Sequence, residues 1–187
     1  MGRVTIGMFS AVLRRMNDAA PPAPVPLAVQ PLTPEAFAPY GTVLAAPAGT
    51  GRPINGGNAE RFDLVGDLQI GAQGGRPMLA LFRAQARRFP HEVAEMERHA
   101  LGSQTFLPLG ERRFVIVVAP AGEAPAAGAL AAFVTDGLQG VTLAPGTWHH
   151  ALLAVDAGDF VVVERGGDAV DCDTCALEAP MIVNWRG

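Results

Sequence analysis

Downstream of residue 76, short apolar runs alternate with Gly and Pro turns: Pro77 to Ala84, Gln104 to Leu109, Phe114 to Ala119, Leu130 to Val134, Gly140 to Leu143, His150 to Val155 and Phe160 to Glu164. Runs this short and this evenly spaced predict the strands of a sandwich or barrel, and no long helices alternate with them to suggest a parallel sheet. Leu32-Thr33-Pro34-Glu35-Ala36-Phe37 offers a Thr N-cap, a Pro at the first helical position and a Glu in the first turn, which predicts one short helix. Val93 and Met96 stand three apart, so His91 to His99 reads as a second helical or irregular turn. Ala and Pro dominate Asn17 to Pro26, so residues 1–26 read as a loose extension and residues 27–187 as a single all-β domain. With 187 residues, 49% of them hydrophobic, the chain can bury one substantial core.

Charge and cysteine content narrow the function classes. A net charge of -4 and a pI near 5.5, with arginines spread along the chain, leave no basic stripe for a phosphate backbone, so nucleic acid is not an expected partner. Val4 to Leu13 is too short to span a membrane and is followed by no clear cleavage site, so no membrane association and a cytoplasmic location are expected. Cys172 and Cys175 are too few for a disulfide framework and lack a second pair for zinc; they read as part of a solvent-side loop in a reducing compartment. Gly56-Gly57 has no helix after it and reads as a turn, so it makes no phosphate loop.

Two segments carry the candidate chemistry: Glu97-Arg98-His99-Ala100-Leu101-Gly102-Ser103-Gln104, and Gly140 to His150, which closes on Pro145-Gly146-Thr147-Trp148-His149-His150. Each places a His where a turn feeds an apolar strand, the way a small barrel points polar groups into a dry cavity. His149 and His150 face opposite ways on a strand, and His149 is taken as the inward one. Glu97, His99 and Gln104 could converge on it, offering a general acid and base or a set of metal ligands. In Leu79 to Gln85, Arg83 shares a face with Leu79 and Leu81; if that face is internal, a guanidinium enters the barrel and needs an anion. The same residues also suit an Arg83 on the solvent face. Arg165 ends the apolar strand Phe160 to Glu164 and suits a polar exit from the core.

The chain resembles the cupin superfamily: Glu97-x-His99, Gln104 and Gly110 stand close to its first motif, and Gly140, Pro145-Gly146 and His149 to its second. Glu97 replaces the first His of that motif and Gln104 its acidic ligand. A closer resemblance is to the ureidoglycolate lyase family, carried by Ile54-Asn55-Gly56-Gly57, Glu60-Arg61-Phe62, Arg83-Ala84-Gln85, Glu97-Arg98-His99, Leu101 to Pro108, Trp148-His149-His150, Asp159-Phe160 and Arg165-Gly166-Gly167. Ala100 and Ala151 replace prolines usual in the family, which touches local rigidity.

This resemblance implies a cupin-type β-barrel (a double-stranded β-helix, or jelly roll) with one or two short helices, forming a homodimer that splits (S)-ureidoglycolate into glyoxylate and urea. For that reaction, strand parity and side-chain chemistry suggest Arg83 as carboxylate clamp, His149 with Glu97 as the acid/base pair, His99 beside them, and Gln104, Trp148, Asn55 and Arg165 as substrate contacts. The motifs demand no cofactor; a divalent metal ion, if one is present, would be held by Glu97, His99, Gln104 and His149. Two other classes stay open: a metal-dependent cupin enzyme such as a dioxygenase or isomerase acting on another small hydroxy acid, and a non-catalytic cupin that binds a small carboxylate.

Overall fold

The computed structural model describes residues 22–187, so most of the expected extension lies outside the described residues. In chain order the strands are β1 (Val25–Leu27), β2 (Val29–Pro31), β3 (Gly41–Leu44), β4 (Arg52–Ile54), β5 (Ala59–Arg61), β6 (Arg76–Ala84), β7 (His91–Arg98), β8 (Gln104–Pro108) and β9 (Phe114–Ala119). They continue with β10 (Ala131–Val134), β11 (Gly140–Leu143), β12 (Trp148–His149), β13 (Leu153–Ala154), β14 (Gly158–Gly166) and β15 (Asp173–Val183). Helix α1 (Pro34–Phe37) starts where the sequence puts it: Thr33 Oγ1 accepts from the Ala36 N–H at 3.2 Å. No helix among the described residues is long and apolar enough to cross a membrane.

One sheet runs β1-β15-β7-β12-β9-β10-β2, with β13 also paired to β9; a second runs β3-β11-β8-β14-β6, and β4 and β5 form a separate hairpin. Phe114, Ile116 and Val118 of β9 meet Phe106, Val141, Leu143, Phe160 and Val162 of the second sheet, so this cluster lies between the sheets. Val115, Val117 and Ala119 face the other way, into a cluster with Val93, Met96, Trp148, Met181 and Val183. Strand β9 is therefore buried on both faces, which is why Phe114 to Ala119 reads as a continuous apolar run. The two sheets enclosing the first cluster make a cupin-type β-barrel.

Several expectations are corrected. His91 to Arg98 is strand β7, paired with β15. The helix-like spacing of Val93 and Met96 has a strand origin: the β15 register shifts between Ala176 and Met181, and this irregularity lets two residues three apart share a buried face. Of His150 to Val155 only Leu153–Ala154, β13, is strand; His150 to Leu152 form a break that separates it from β12. Val25 and Pro26, placed with the extension, are strand residues paired parallel with Met181 and Ile182. Cys175, placed in a loop, is a half-buried residue of β15; Cys172 is exposed.

Candidate active site

Strand register decides which side chains enter the barrel, because residues directly opposite each other on an antiparallel pair share a face. His149 lies opposite both Glu97 and Val118, and Val118 points between the sheets, so His149 and Glu97 do too. Trp148 lies opposite Ala119 and points the other way. On the second sheet Gln104 has the parity of Phe106, and Glu164 that of Phe160 and Val162, which brings these two side chains to the same interior. His99 follows the end of β7, with its ring centroid 5.3 Å from that of His149.

Glu97, His99 and His149 each offer a ligand atom within 4.8 Å of the others. Every donor-capable end in this group is tied off. Nδ1 of His149 faces the Thr147 carbonyl at 3.1 Å, and Nδ1 of His99 faces the Asp171 carbonyl. A carbonyl only accepts, so both Nδ1 atoms carry a proton and both rings turn Nε2 inward, an acceptor in the Nδ1-protonated tautomer. Gln104 donates Nε2 to Glu164 Oε2 at 2.8 Å, which leaves its Oε1 facing the site. The His99 Nε2, Gln104 Oε1 and His149 Nε2 atoms are all buried without a hydrogen-bond partner. The 3.4 Å approach of His149 Nε2 to Glu97 Oε1 is within ion-pair reach but lies outside hydrogen-bond geometry.

Three orphaned acceptors beside a carboxylate form a set that neutral donors of the chain do not satisfy; such a set calls for a cation or for the protons and hydroxyls of a ligand. When its Nε2 carries a proton, His149 holds the Glu97 carboxyl below the usual carboxylate range, aided by charge on the nearby His99 and His150 rings and against burial that raises it. Glu97 is thus an anion at neutral pH. Its Oε2 accepts a weak bond from Cys172 Sγ at 3.9 Å, and burial, then the Glu97 charge, pushes that thiol up so that it stays a neutral donor.

The group opens into a cavity of about 690 Å³ lined by Glu97, His99, Gln104, Phe82, Phe106 and Arg87 among others. Other candidates fall elsewhere. Register pairs Phe82 with Phe160 and Ala80 with Val162, so the face of β6 carrying Leu79, Leu81 and Arg83 points outward, against the expected inward guanidinium. Arg83 reaches the cavity rim from outside and is held bidentately by Asp159 at 2.8 and 3.0 Å. Trp148 lies away from this cavity, under the Arg98 guanidinium, with Nε1 donating to the Gly122 carbonyl. Asn55 sits at φ 53 in the exposed turn between β4 and β5, followed by the left-handed Gly56 and Gly57, and does not line the cavity. Arg165 is buried on the outer face of β14 and donates to the carbonyls of Ala72, Gln73 and Ala169. It lines a second cavity that also touches His99. Gly102 is required beside it, since a Cβ there would stand 2.5 Å from the Arg165 Cβ.

The sequence reading missed Glu164 as the partner that fixes the Gln104 amide, although its parity with Phe160 and Val162 was available. It also missed the Asp171 carbonyl, for which a main-chain acceptor leaves no sequence signal.

A cupin-type barrel with a buried set of imidazole, amide and carboxylate acceptors at the base of a polar-floored cavity is the class of protein this geometry defines. The model of the family described as ureidoglycolate lyase matches residues 25–184. The chain is 51% identical over 162 residues to the ureidoglycolate lyase of Burkholderia cepacia, covering 86% of this chain and 91% of that protein. It is 42% identical to that of Pseudomonas syringae pv. syringae (strain B728a) over 79% of this chain and 87% of the relative. Ureidoglycolate lyase 1 of Rhizobium meliloti (strain 1021) is 45% identical over 75% of this chain and 83% of the relative. The chain belongs to the ureidoglycolate lyase family.

Proposed function

We propose that this protein cleaves (S)-ureidoglycolate into glyoxylate and urea, as a step of allantoin breakdown. The observation that carries the reading is a cavity lined by the anionic Glu97, His99 and Gln104, with unpartnered acceptors on His99 and Gln104 and on the adjoining His149. The substrate is a hemiaminal carboxylate. Its hydroxyl loses a proton, the carbon–oxygen bond becomes a carbonyl, the carbon–nitrogen bond breaks, and the departing nitrogen takes up a proton, with no net oxidation.

The residues fit a divalent ion. His99, Gln104 and His149 would hold it, each ligand having its far end fixed by the Asp171 carbonyl, Glu164 or the Thr147 carbonyl. An ion there would supply positive charge that makes the substrate hydroxyl more acidic. Glu97, anionic and lining the cavity, is placed to take the hydroxyl proton and return it to the leaving urea nitrogen. In the metal-free protein the 3.4 Å approach of His149 to Glu97 favours a second reading, in which the His149 Nε2 lone pair accepts the proton and Glu97 stabilises the imidazolium. Phe82 and Phe106, in edge-to-face contact, supply an apolar wall that limits water near the reacting carbon.

A cytoplasmic homodimer is part of the same proposal. The outward face of β6 supports it, with Leu79 and Leu81 exposed there, the kind of surface a second copy covers. Glyoxylate release from ureidoglycolate, followed with purified protein of known metal content, tests the function. Release proportional to enzyme is expected, and its absence from metal-loaded and metal-free protein alike overturns the reading.

A further inference from the structure

A substrate whose carboxylate must approach an anionic Glu97 needs a cation with unused N–H groups in the same cavity. Most guanidiniums near the site are committed. The Nε and Nη2 donors of Arg83 go to Asp159. Arg165 spends its donors on three carbonyls and faces a different cavity. Arg98 bonds Asp173 and the Gly122 carbonyl and covers Trp148.

Arg87 differs from all three. It lies between β6 and β7, lines the 690 Å³ cavity together with Glu97, His99 and Gln104, and its guanidinium makes no ion pair or hydrogen bond with any group among the described residues. Its backbone is anchored, with the Arg87 N–H donating to the Ala154 carbonyl at 2.8 Å, so the root of the side chain is fixed while its fork is free. Ala151 and Leu152, which follow His149 and His150, line the same cavity, so Arg87 shares it with the segment that carries His149.

We propose that Arg87 binds the substrate's carboxylate, orienting the hydroxyl-bearing carbon toward Glu97 and the three acceptors, so that Arg87 sets the preference for small 2-hydroxy acids. This assignment rests on reading the cavity as the site of ureidoglycolate cleavage. Arg83, on the rim, then acts as an outer wall of the entrance.

The test uses the full chain with Arg87→Met, Arg87→Lys and Arg83→Met. Thermal melting confirms folding, kcat and KM are measured with ureidoglycolate, and oxamate binding is measured by calorimetry as an activity-independent readout. Loss of a charge-assisted contact predicts that Arg87→Met raises KM and weakens oxamate roughly ten- to a hundred-fold, with a much smaller change in kcat. Arg87→Lys, which keeps the charge and loses the fork, falls between. Added guanidinium ion partly restores Arg87→Met, which a packing role would not allow. Unchanged KM and oxamate affinity in a folded Arg87→Met, or a loss that appears only in Arg83→Met, overturns the assignment. A wild-type protein that binds oxamate through Arg87 and releases no glyoxylate would instead overturn the cleavage reading and leave the anion site standing.

Discussion

At the scale of single residues, the adjacent histidines separate cleanly. His149 is buried inside the barrel with Nε2 bare, while His150 sits at the break after β12, its ring against His91 and its Nδ1 beside the Ala151 carbonyl. His149→Ala removes an acceptor from the reacting group and is expected to lower kcat by about a hundredfold or more in a folded protein. His150→Ala is expected to change turnover by less than about threefold and to act on stability, since it removes only packing and a local contact. Steady-state kinetics beside thermal melts of the two variants check this, and an inactive His150→Ala next to an active His149→Ala would move the reacting group one residue along. The inward choice of His149 was open to sequence reasoning because strand parity forces neighbours apart. The Arg83 face was not, because Leu79, Leu81 and Arg83 alternate with Ala80, Phe82 and Ala84, and both sets are apolar enough to be internal. Only pairing with β14 shows that Phe82 opposes Phe160 and so points inward.

At the scale of elements, the strands legible in the sequence were those whose apolar runs are buried on both faces or end in Gly and Pro turns; β9 and β11 have the expected bounds. Strand β7 was hidden because a register irregularity in its partner β15 imitates helical spacing. Strand β15 was hidden because its first half is largely exposed and its one proline falls at the irregularity. The loop between β12 and β13 also packs the His91 and His150 rings together, and their titration gives a measurable signature. Burial first, then the charges of His150 and Arg87, lowers His91 against the opposing Glu92; burial likewise lowers His150, with Arg87 and His149 assisting and the Ala151 carbonyl and Glu97 opposing. A histidine held below its ordinary 6.5 keeps the fold's neutral form, so below that pH the unfolded chain binds more protons than the fold. Stability is therefore full above this window and declines as pH falls through 6.5 toward the folded values. The paired carboxylates, held low, begin to lose their contribution only in more acidic solution, below the ordinary values of 4.5 and 3.8. The urea midpoint is expected to fall between about pH 7.5 and about pH 5.5, and to fall less in His150→Asn. An equal fall in both proteins would remove this pair as the cause.

At the scale of the whole molecule, two sheets from distant parts of the chain each deliver half of the site: β7 and β12 bring Glu97 and His149, while β8 and β14 bring Gln104 and Glu164. Closing the barrel is what turns four scattered polar residues into one inward-facing group, and the motif spacing alone could place them only as candidates. The group's chemistry, anionic carboxylate beside bare nitrogen and oxygen acceptors, suits release of urea by breaking the carbon–nitrogen bond. Hydrolysis of the ureido carbonyl would need water activated at a different atom. The fate of the ureido carbon separates the two most directly. With a heavy-carbon label in that carbonyl, nuclear magnetic resonance of the wild-type reaction is expected to show the label passing entirely into urea, one equivalent per glyoxylate formed. Label appearing as carbonate, with ammonia released, would contradict the account.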